Sequence, residues 1–355
     1  IIGTLGQQLQ GLGLLNSLAD KVTLDRIRGL IQAPEAAAFI DGTFYITPDL
    51  KLSAGGRYYR NAVNADVIST GVLVLPNGSL QTQTQHNTSA SGFNPKVSLA
   101  WQATQRVLLY GLYSRGYRLG GVNLAISTPL SQTPFTYGPD EVSNYELGIK
   151  TAWLDGALTA DPSAFWIDWN AIPLQFQDST GLAKYLTNAG NARSKGLEGT
   201  VAARPWSFLT LRSSLTWMDS RLLNDFDPNN NQPPAKAGDR LPGAAPFSAS
   251  TSATGQWFVG DYVPSVSLIH RYVGESSSNL SFQDVKVGGY SLLDLRANVK
   301  RGNFGLSLYG KHLMDTRGVT ASNNYSQVSG DTLSLQFVNP PRLVGIDLSY
   351  SFESE

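Results

Sequence analysis

At 355 residues the chain is long enough for one large domain or two ordinary ones, and its 27 basic residues balance 27 acidic ones, so no net field favours nucleic acid or an anionic surface. Cysteine is absent, which excludes disulfide frameworks and Cys-ligated metals. No apolar run reaches the roughly 18 residues a membrane-spanning helix needs, but strands of about 10 alternating residues can still cross a bilayer as a closed sheet.

In chain order, Ile1-Ile2-Gly3-Thr4 shows neither an initiator Met nor a basic and then apolar leader, so an exported chain is expected to have lost its N-terminal part. Residues 1–34 carry Leu5, Leu9, Leu12, Leu15, Leu18, Val22, Leu24, Ile27, Leu30 and Ile31 at a spacing nearer to helix than to strand. We expect a loop or irregular segment there, partly helical as the alternative. From residue 35 to 355 the pattern is of strands taken in pairs. Thr43–Thr47 turns at Pro48-Asp49 into Leu50–Arg60, and Asn94–Ala103 turns at Thr104-Gln105 into Arg106–Arg115. Tyr145–Leu154 turns at Asp155-Gly156 into Leu158–Trp169, and Leu197–Arg204 turns at Pro205-Trp206 into Phe208–Ser220. Phe247–Val259 turns at Gly260-Asp261 into Val263–Tyr272, and Tyr290–Lys300 turns at Gly302-Asn303 into Phe304–Leu313. Each join has hairpin chemistry.

Long polar connections alternate with these turns: Asn64–Gly92, Leu119–Asp140, Asp178–Ala189, Asn224–Gly243, Glu275–Gly288 and Thr316–Asp331. Short and long joins in strict alternation put all short turns at one end of a closed sheet and all long loops at the other, as in outer-membrane barrels. Leu293, Leu295, Ala297 and Val299 oppose Asp294, Arg296, Asn298 and Lys300, and Leu209, Leu211, Leu215 and Trp217 oppose Thr210, Arg212, Ser214 and Thr216. Period two alone also fits a soluble sandwich or propeller, but charges on every second position suit a watered bore. The closing run Leu343 to Phe352 repeats the pattern and ends on aromatic residues. The segments make roughly thirteen strands of about ten residues each, an odd number that missing N-terminal strands would even out. Pro162 interrupts an interior strand, so a bulge is expected near Asp161-Pro162.

From about Ala37 to Phe352 the chain resembles the C-terminal barrel portion of TonB-dependent outer-membrane receptors. The resemblance rests on Ala37-Ala38-Phe39 with Leu52 to Tyr58, on Tyr110 to Gly121, on Tyr145-Glu146-Leu147-Gly148-Ile149-Lys150, on Asn188 to Glu198, and on Pro341-Arg342 before the last strand. Most of these residues are expected to shape turns and wall contacts, with Glu146 pairing Lys150 and Glu198 pairing Arg193. His312-Leu313-Met314-Asp315 stands where the family has Asn-Leu-x-Asp, and Glu353-Ser354-Glu355 extend past the usual terminal aromatic. The resemblance implies an all-β transmembrane antiparallel barrel, present here as the last strands of about 22. It implies active uptake of a bulky solute such as a ferric siderophore, with cobalamin or an oligosaccharide as other cargo. The plug and the TonB-contacting box have no counterpart here, so an energising TonB-type protein would act through a region outside this chain. The implied place is the Gram-negative outer membrane, in contact with its lipid, with the C-terminus periplasmic. No catalysis, cofactor, metal or nucleic acid is implied.

For cargo contacts the sequence offers rim residues. By parity and direction Arg115 and Arg271 point inward near upper strand ends, with Tyr117, Arg118 and Tyr272 close by. Arg suits carboxylates or an anionic chelate, and Tyr offers a flat amphipathic contact. Bracing of loops is the simpler role, and unchanged uptake in an Arg115→Ala, Arg271→Ala double variant would remove the cargo role. His86, His270 and His312 lack metal-ligand spacing. Asp225-Phe226-Asp227-Pro228-Asn229 opens like a calcium loop but lacks its Gly and closing Glu. A hydrolase would need a Ser or Asp beside a His at the rim, with His270 its one starting point. A passive porin is the stronger rival.

Overall fold

A chain whose side chains alternate between apolar and polar can satisfy both faces only as a strand with two different surroundings. The computed structural model, described over residues 26–70, 81–124, 133–177, 184–226, 235–278, 280, 285–326 and 332–352, consists of such strands and contains no helix among these residues. The first part runs β1 (Arg26–Gln32), β2 (Glu35–Thr47), β3 (Leu50–Thr70), β4 (Gln81–Thr104), β5 (Val107–Arg118), β6 (Gly121–Val122), β7 (Thr136–Tyr137), β8 (Asp140–Trp153), β9 (Leu158–Asn170), β10 (Pro173–Gln177) and β11 (Lys184–Asn188). The remainder is β12 (Ala192–Trp206), β13 (Leu209–Leu222), β14 (Phe247–Gln256), β15 (Tyr262–Val273), β16 (Ser276–Ser277), β17 (Lys286–Val287), β18 (Tyr290–Arg301), β19 (Phe304–Lys311), β20 (Val319–Ser326), β21 (Thr332–Val338) and β22 (Leu343–Tyr350).

Fourteen of these strands form one antiparallel wall in the order β1-β3-β4-β5-β8-β9-β12-β13-β14-β15-β18-β19-β22, with β2 also on β3. The wall follows chain order because every join is either a tight hairpin or a long loop returning to the neighbouring position. The pairs β6–β7, β10–β11, β16–β17 and β20–β21 lie within the long connections. β1 and β2 both line the edge of β3 that β4 leaves free, over Asn64–Thr70 and Leu50–Asn61 respectively. They act as one strand broken at Ala33-Pro34, where the Pro34 carbonyl still accepts from the Ala62 N–H at 3.1 Å. The wall therefore has thirteen positions among the described residues.

Two expectations change. Arg26–Gln32 is strand, although residues 1–34 read as irregular or partly helical; residues 1–25 lie outside the described ones. Part of the expected loop Asn64–Gly92 is also strand, since β3 and β4 pair from Leu50↔Trp101 up to Thr70↔Gln81. In both cases a neighbouring strand supplies the hydrogen bonds that local composition does not ask for.

The expected bulge at Asp161-Pro162 is absent. β9 pairs continuously with β12 through Pro162↔Gly199, and on its other side Gly148↔Ser163 and Thr151↔Ala160 keep one register, with Ile149 and Lys150 left out of the ladder. The missing proline N–H therefore faces β8 and costs bonds without shifting the strand. Pro162→Val should close that gap and raise unfolding stability by about 1 kcal/mol. Urea midpoints for the two proteins would measure this, and a lower midpoint in the variant would count against the account.

Each face of the wall reads as one row after another across the register. On one face Leu268 lies opposite Leu295 and Ala253, and Val266 opposite Ala297 and Gly255; Leu295 is 39 % exposed and Leu348 82 %. No second layer of the described structure covers this row, which sets aside the soluble sandwich. The other face carries hydroxyl pairs between neighbouring strands, Thr254–Ser267 and Thr200–Ser214 at 3.0 Å each, and an ion pair, Arg296–Asp347 at 3.0 Å, that reaches across β19 from β18 to β22.

Aromatic side chains crowd the short-turn end of the apolar face. Trp206, Phe208 and Trp257 follow one another at ring distances of 5.9 Å, and Phe304, Tyr350 and Phe352 at 4.7 and 4.8 Å. On β12 the apolar stretch ends above at Lys195, eleven residues from Trp206. At a rise of about 3.3 Å and a tilt of about 40° those residues cover roughly 28 Å, the height of a hydrocarbon layer.

Candidate functional site

Long loops gather at the end away from the aromatic crowd, so the upper polar face is where a solute could be held. Its best-organised group comes from β5, β8 and β9. Arg118 lies directly opposite Asp140 in the β5–β8 ladder. Its Nε reaches both carboxylate oxygens at 3.1 and 3.0 Å, and its Nη2 reaches Oδ2 at 2.8 Å. The Trp169 indole N–H donates to the same carboxylate, and the guanidinium lies 4.8 Å from the Trp169 ring centre. The Asp140 side chain is 2 % exposed while that of Arg118 is 58 % exposed. A buried carboxylate with all its partners in place thus fixes a cation that remains open to solvent.

Arg115 and Tyr117 take a different direction from the one expected. They share a face with Tyr113, which pairs across to Val97 and Tyr145 in the apolar row. The β4–β5 ladder stops at Lys96↔Ser114, while β3 and β4 continue upward as a pair. Above that point the upper end of β5 packs against the tall β3–β4 hairpin. Tyr117 stacks on Tyr59 with ring centres 3.4 Å apart and planes 5° apart, and its hydroxyl donates to Glu35 at 2.6 Å. Glu35 also pairs with Arg57, and Arg115 pairs with Glu141. Strand parity gives the face of a side chain, but whether that face meets lipid, bore or protein depends on where the neighbour ends.

Arg271 does look to the polar face. It pairs with Asp294 at 2.8 Å, and Asp294 accepts the His312 N–H at 2.9 Å as well. Tyr272, one residue on, is on the opposite face with its ring 6.0 Å from Phe247, so it cannot join Arg271 at one site. Six strand steps separate β5 from β15, about 29 Å along the wall at ~4.8 Å per step. The five residues singled out from sequence therefore fall in four places. Two expected wall pairs also differ. Arg193 binds Asp168 at 2.7 Å rather than Glu198, which is on the other face. Glu146 accepts from the Tyr110 hydroxyl at 2.5 Å, and the Lys150 amine lies 5.8 Å from that ring.

Sequence inspection gave the Asn188 to Glu198 segment a turn-shaping role but missed Asn123 and the bonds by which the asparagines knit the loops together. Asn123 donates to the carbonyls of Pro134 and Leu186 at 2.7 and 2.8 Å and accepts from the Leu186 N–H at 2.8 Å. Asn188 accepts from the Gly138 N–H at 2.7 Å and donates to Ala171 O at 2.6 Å. Between Asn188 and Asn191 the chain turns through Gly190 at φ +92°, a conformation that favours glycine. Beside these bonds Ile172, Ala192, Leu222, Ala235 and Leu241 form one small core, and Phe176, Tyr185 and Ala189 another. The segment Asn188 to Arg193 is thus a hub for loops, and its runs of Asn and Gly were the available signal.

Carboxylates pin loops at two further points. Asp315, at φ +52° in the His312 turn, accepts the Arg342 N–H at 2.8 Å, and the His312 ring nitrogen meets Pro340 O at 3.1 Å. Asp225 accepts the Ala237 N–H at 2.8 Å and the Lys236 amine at 3.0 Å. The rest of the stretch that resembled a calcium loop, Asp227 to Asn229, lies outside the described residues. The backbone N–H bond, above all, holds each carboxyl below the usual Asp value of 3.8. A depressed folded pKa contributes stability that is present above 3.8 and is lost as pH falls through the lower folded value. The protection of the Arg342 and Ala237 amides, measured as exchange relative to the intrinsic rate at each pH, should therefore fall only below pH 3.8, and a loss of protection starting near neutrality would contradict this assignment.

The three histidines do not meet. His86 stacks on Phe135 at 4.4 Å, His270 lies opposite Leu293 on the apolar face, and His312 is in its turn. The rim groups present charge, indole and amide; they are equipped to hold a solute.

A family model described as TonB dependent receptor-like, beta-barrel, matches residues 8–313. The metal-pseudopaline receptor CntO of Pseudomonas aeruginosa (strain UCBPP-PA14) is 24% identical over 256 residues, 70% of this chain and 33% of the receptor. The ferric yersiniabactin uptake receptor FyuA of Yersinia pestis superposes with a TM-score of 0.76 at 20% identity, over 93% of this chain and 47% of its own. The ferripyoverdine receptor of Pseudomonas aeruginosa, solved with ferripyoverdine, gives 0.58 at 16% identity over 91% and 39%. The chain spans about a third of the length of the curated relative and less than half of these two structures.

Proposed function

Because the chain belongs to the TonB-dependent receptor β-barrel family and lies in the outer membrane, we infer that it forms the wall and outer loops of a receptor that takes up a chelated metal ion, a ferric siderophore in the first instance. The names of its relatives support that cargo class: they are receptors for metal-pseudopaline and for ferric yersiniabactin. One observation in this chain carries the reading. Arg118 is held open to solvent over Trp169 by a buried carboxylate, on the polar face and below a layer of loops tied together through Asn123 and Asn188.

A cation fixed beside an indole plane suits an anionic chelate with aromatic or conjugated parts, and fixing it beforehand lowers the ordering cost of binding. Arg271 offers a second cation on the same face, farther round. Arg115, Tyr117 and Tyr272 take supporting roles in this reading. An energising TonB-type protein acts through a region outside this chain, and the short-turn end, with the C-terminus, faces the periplasm.

Uptake of a labelled ferric siderophore into cells that depend on this receptor is the test. Saturable uptake that stops when the inner membrane is de-energised is the expected result. Passive passage of small solutes without energy would instead establish the porin reading, and selective uptake of cobalamin or an oligosaccharide would replace the cargo class.

A further inference from the structure

The apolar face changes character in steps at its upper border, and the ladder register puts those steps at defined heights. One row runs Ala164–Leu197–Trp217–Phe247. The next row up is Trp166–Lys195–Asp219, and the one above is Asp168–Arg193–Arg221–Arg240. Four cations and two carboxylates thus follow directly on a greasy row, on the outside of the wall. Lys195 lies 5.6 Å and Arg193 4.4 Å from the Trp166 ring centre. Asp168 engages Arg193 at 2.7 Å, and Asp219 engages Arg221 at 2.8 Å and Arg240 at 3.6 Å. Lys195 is exposed and has no carboxylate partner among the described residues, and the side chains of Arg221 and Arg240 are each 43% exposed.

Two positive charges are left over in a chain whose total is zero. They stand at the upper border of the apolar face, where the headgroups of the outer leaflet would meet the wall. We propose that Arg193, Lys195, Arg221 and Arg240, with Trp166 as a flat support, form a docking surface for a phosphate-bearing lipid of the outer leaflet. Its acyl chains lie down the Leu197, Trp217 and Phe247 row, and its phosphates meet the cations. Arginine forks bind phosphate oxygens two at a time, lysine adds a mobile charge, and an indole sits well at the headgroup level. The surface is outside the wall, so it is independent of the solute site on the polar face.

The test uses the whole protein extracted from outer membranes into detergent, with bound phosphorylated glycolipid counted by native mass spectrometry. Wild type should retain this lipid through detergent exchange. A variant with Arg193, Lys195, Arg221 and Arg240 all changed to Gln should retain roughly tenfold less, the effect of one to two cations at an anionic leaflet. Lys195→Glu breaks no ion pair and should lower retention in the same direction, which keeps the proposal testable if the fourfold variant assembles poorly. Lys300→Gln, on the polar face, should retain the wild-type amount. Equal retention in wild type and Lys195→Glu would overturn the proposal. So would displacement of the lipid by millimolar inorganic phosphate, which would make the cluster a general anion site, or equal retention of a zwitterionic lipid with the same chains.

Discussion

Replacing Leu295 by arginine should cost about 2–4 kcal/mol of barrel stability, the depth-dependent penalty for a guanidinium on the lipid face near the middle of the bilayer. Leu295 lies opposite Leu268 and Gly310, with the Leu293 and Ala297 positions above and below it on the same face. An arginine there can reach water only by bending toward a border some two residues of strand beyond its own length. Ser265→Arg is the matched control. Ser265 faces the other way, opposite Asn298 and Gln256, where water can hydrate the added charge. Folded protein recovered from membranes, read by the heat-dependent gel shift of intact barrels, should fall sharply in Leu295→Arg and little in Ser265→Arg. Equal recovery of the two would mean that the faces have been assigned the wrong way round.

Asp140→Ala should be the most damaging single change at the rim. It strips Arg118 and the Trp169 N–H of their shared acceptor in a place where the carboxylate is 2% exposed. Breaking a fully buried pair costs about 3–5 kcal/mol, and the exposure of Arg118 reduces this to roughly 2. Arg118 would then move among rotamers instead of standing ready over the ring, and affinity for a ferric siderophore should drop about tenfold. Arg118→Ala should lower affinity similarly at a comparable cost in stability, because it leaves the buried Asp140 carboxylate with the indole N–H alone. Hydrogen exchange across 114–118 and 140–144 reports the structural part, and binding titrations the functional part. If both variants bind like wild type, the Arg118 group is a brace and cargo is held elsewhere.

Much of the wall could be read from residues alone. Alternation in Leu293 to Lys300 and in Leu209 to Trp217 gave the correct faces, and the turns at Asp155-Gly156, Gly260-Asp261 and Gly302-Asn303 fell at hairpins. Bulges at Tyr45/Thr47, Gln102/Thr104 and Ala203/Trp206 escaped notice, since the extra residue leaves the pattern nearly intact. At Pro162 the opposite happened: a residue that reads as an interruption is carried by continuous pairing on its β12 side.

The rim was harder to read. Arg118 and Asp140 are 22 residues apart and meet only because β5 and β8 close a long loop in one particular register. Arg271 and Tyr272 are neighbours in sequence and are separated by the thickness of the sheet.

Covalent spacing by itself determined which side chains share a face of a strand, where the chain reverses, and that one face is greasy over a bilayer's height, because these follow from a period of two and from local turn chemistry. Only the assembled wall decided what each face meets at its upper end. That depends on where neighbouring strands stop, as when β3 and β4 rise past β5 and turn Tyr117 onto Tyr59, and such lengths are set by long-range pairing rather than by any residue's own preference.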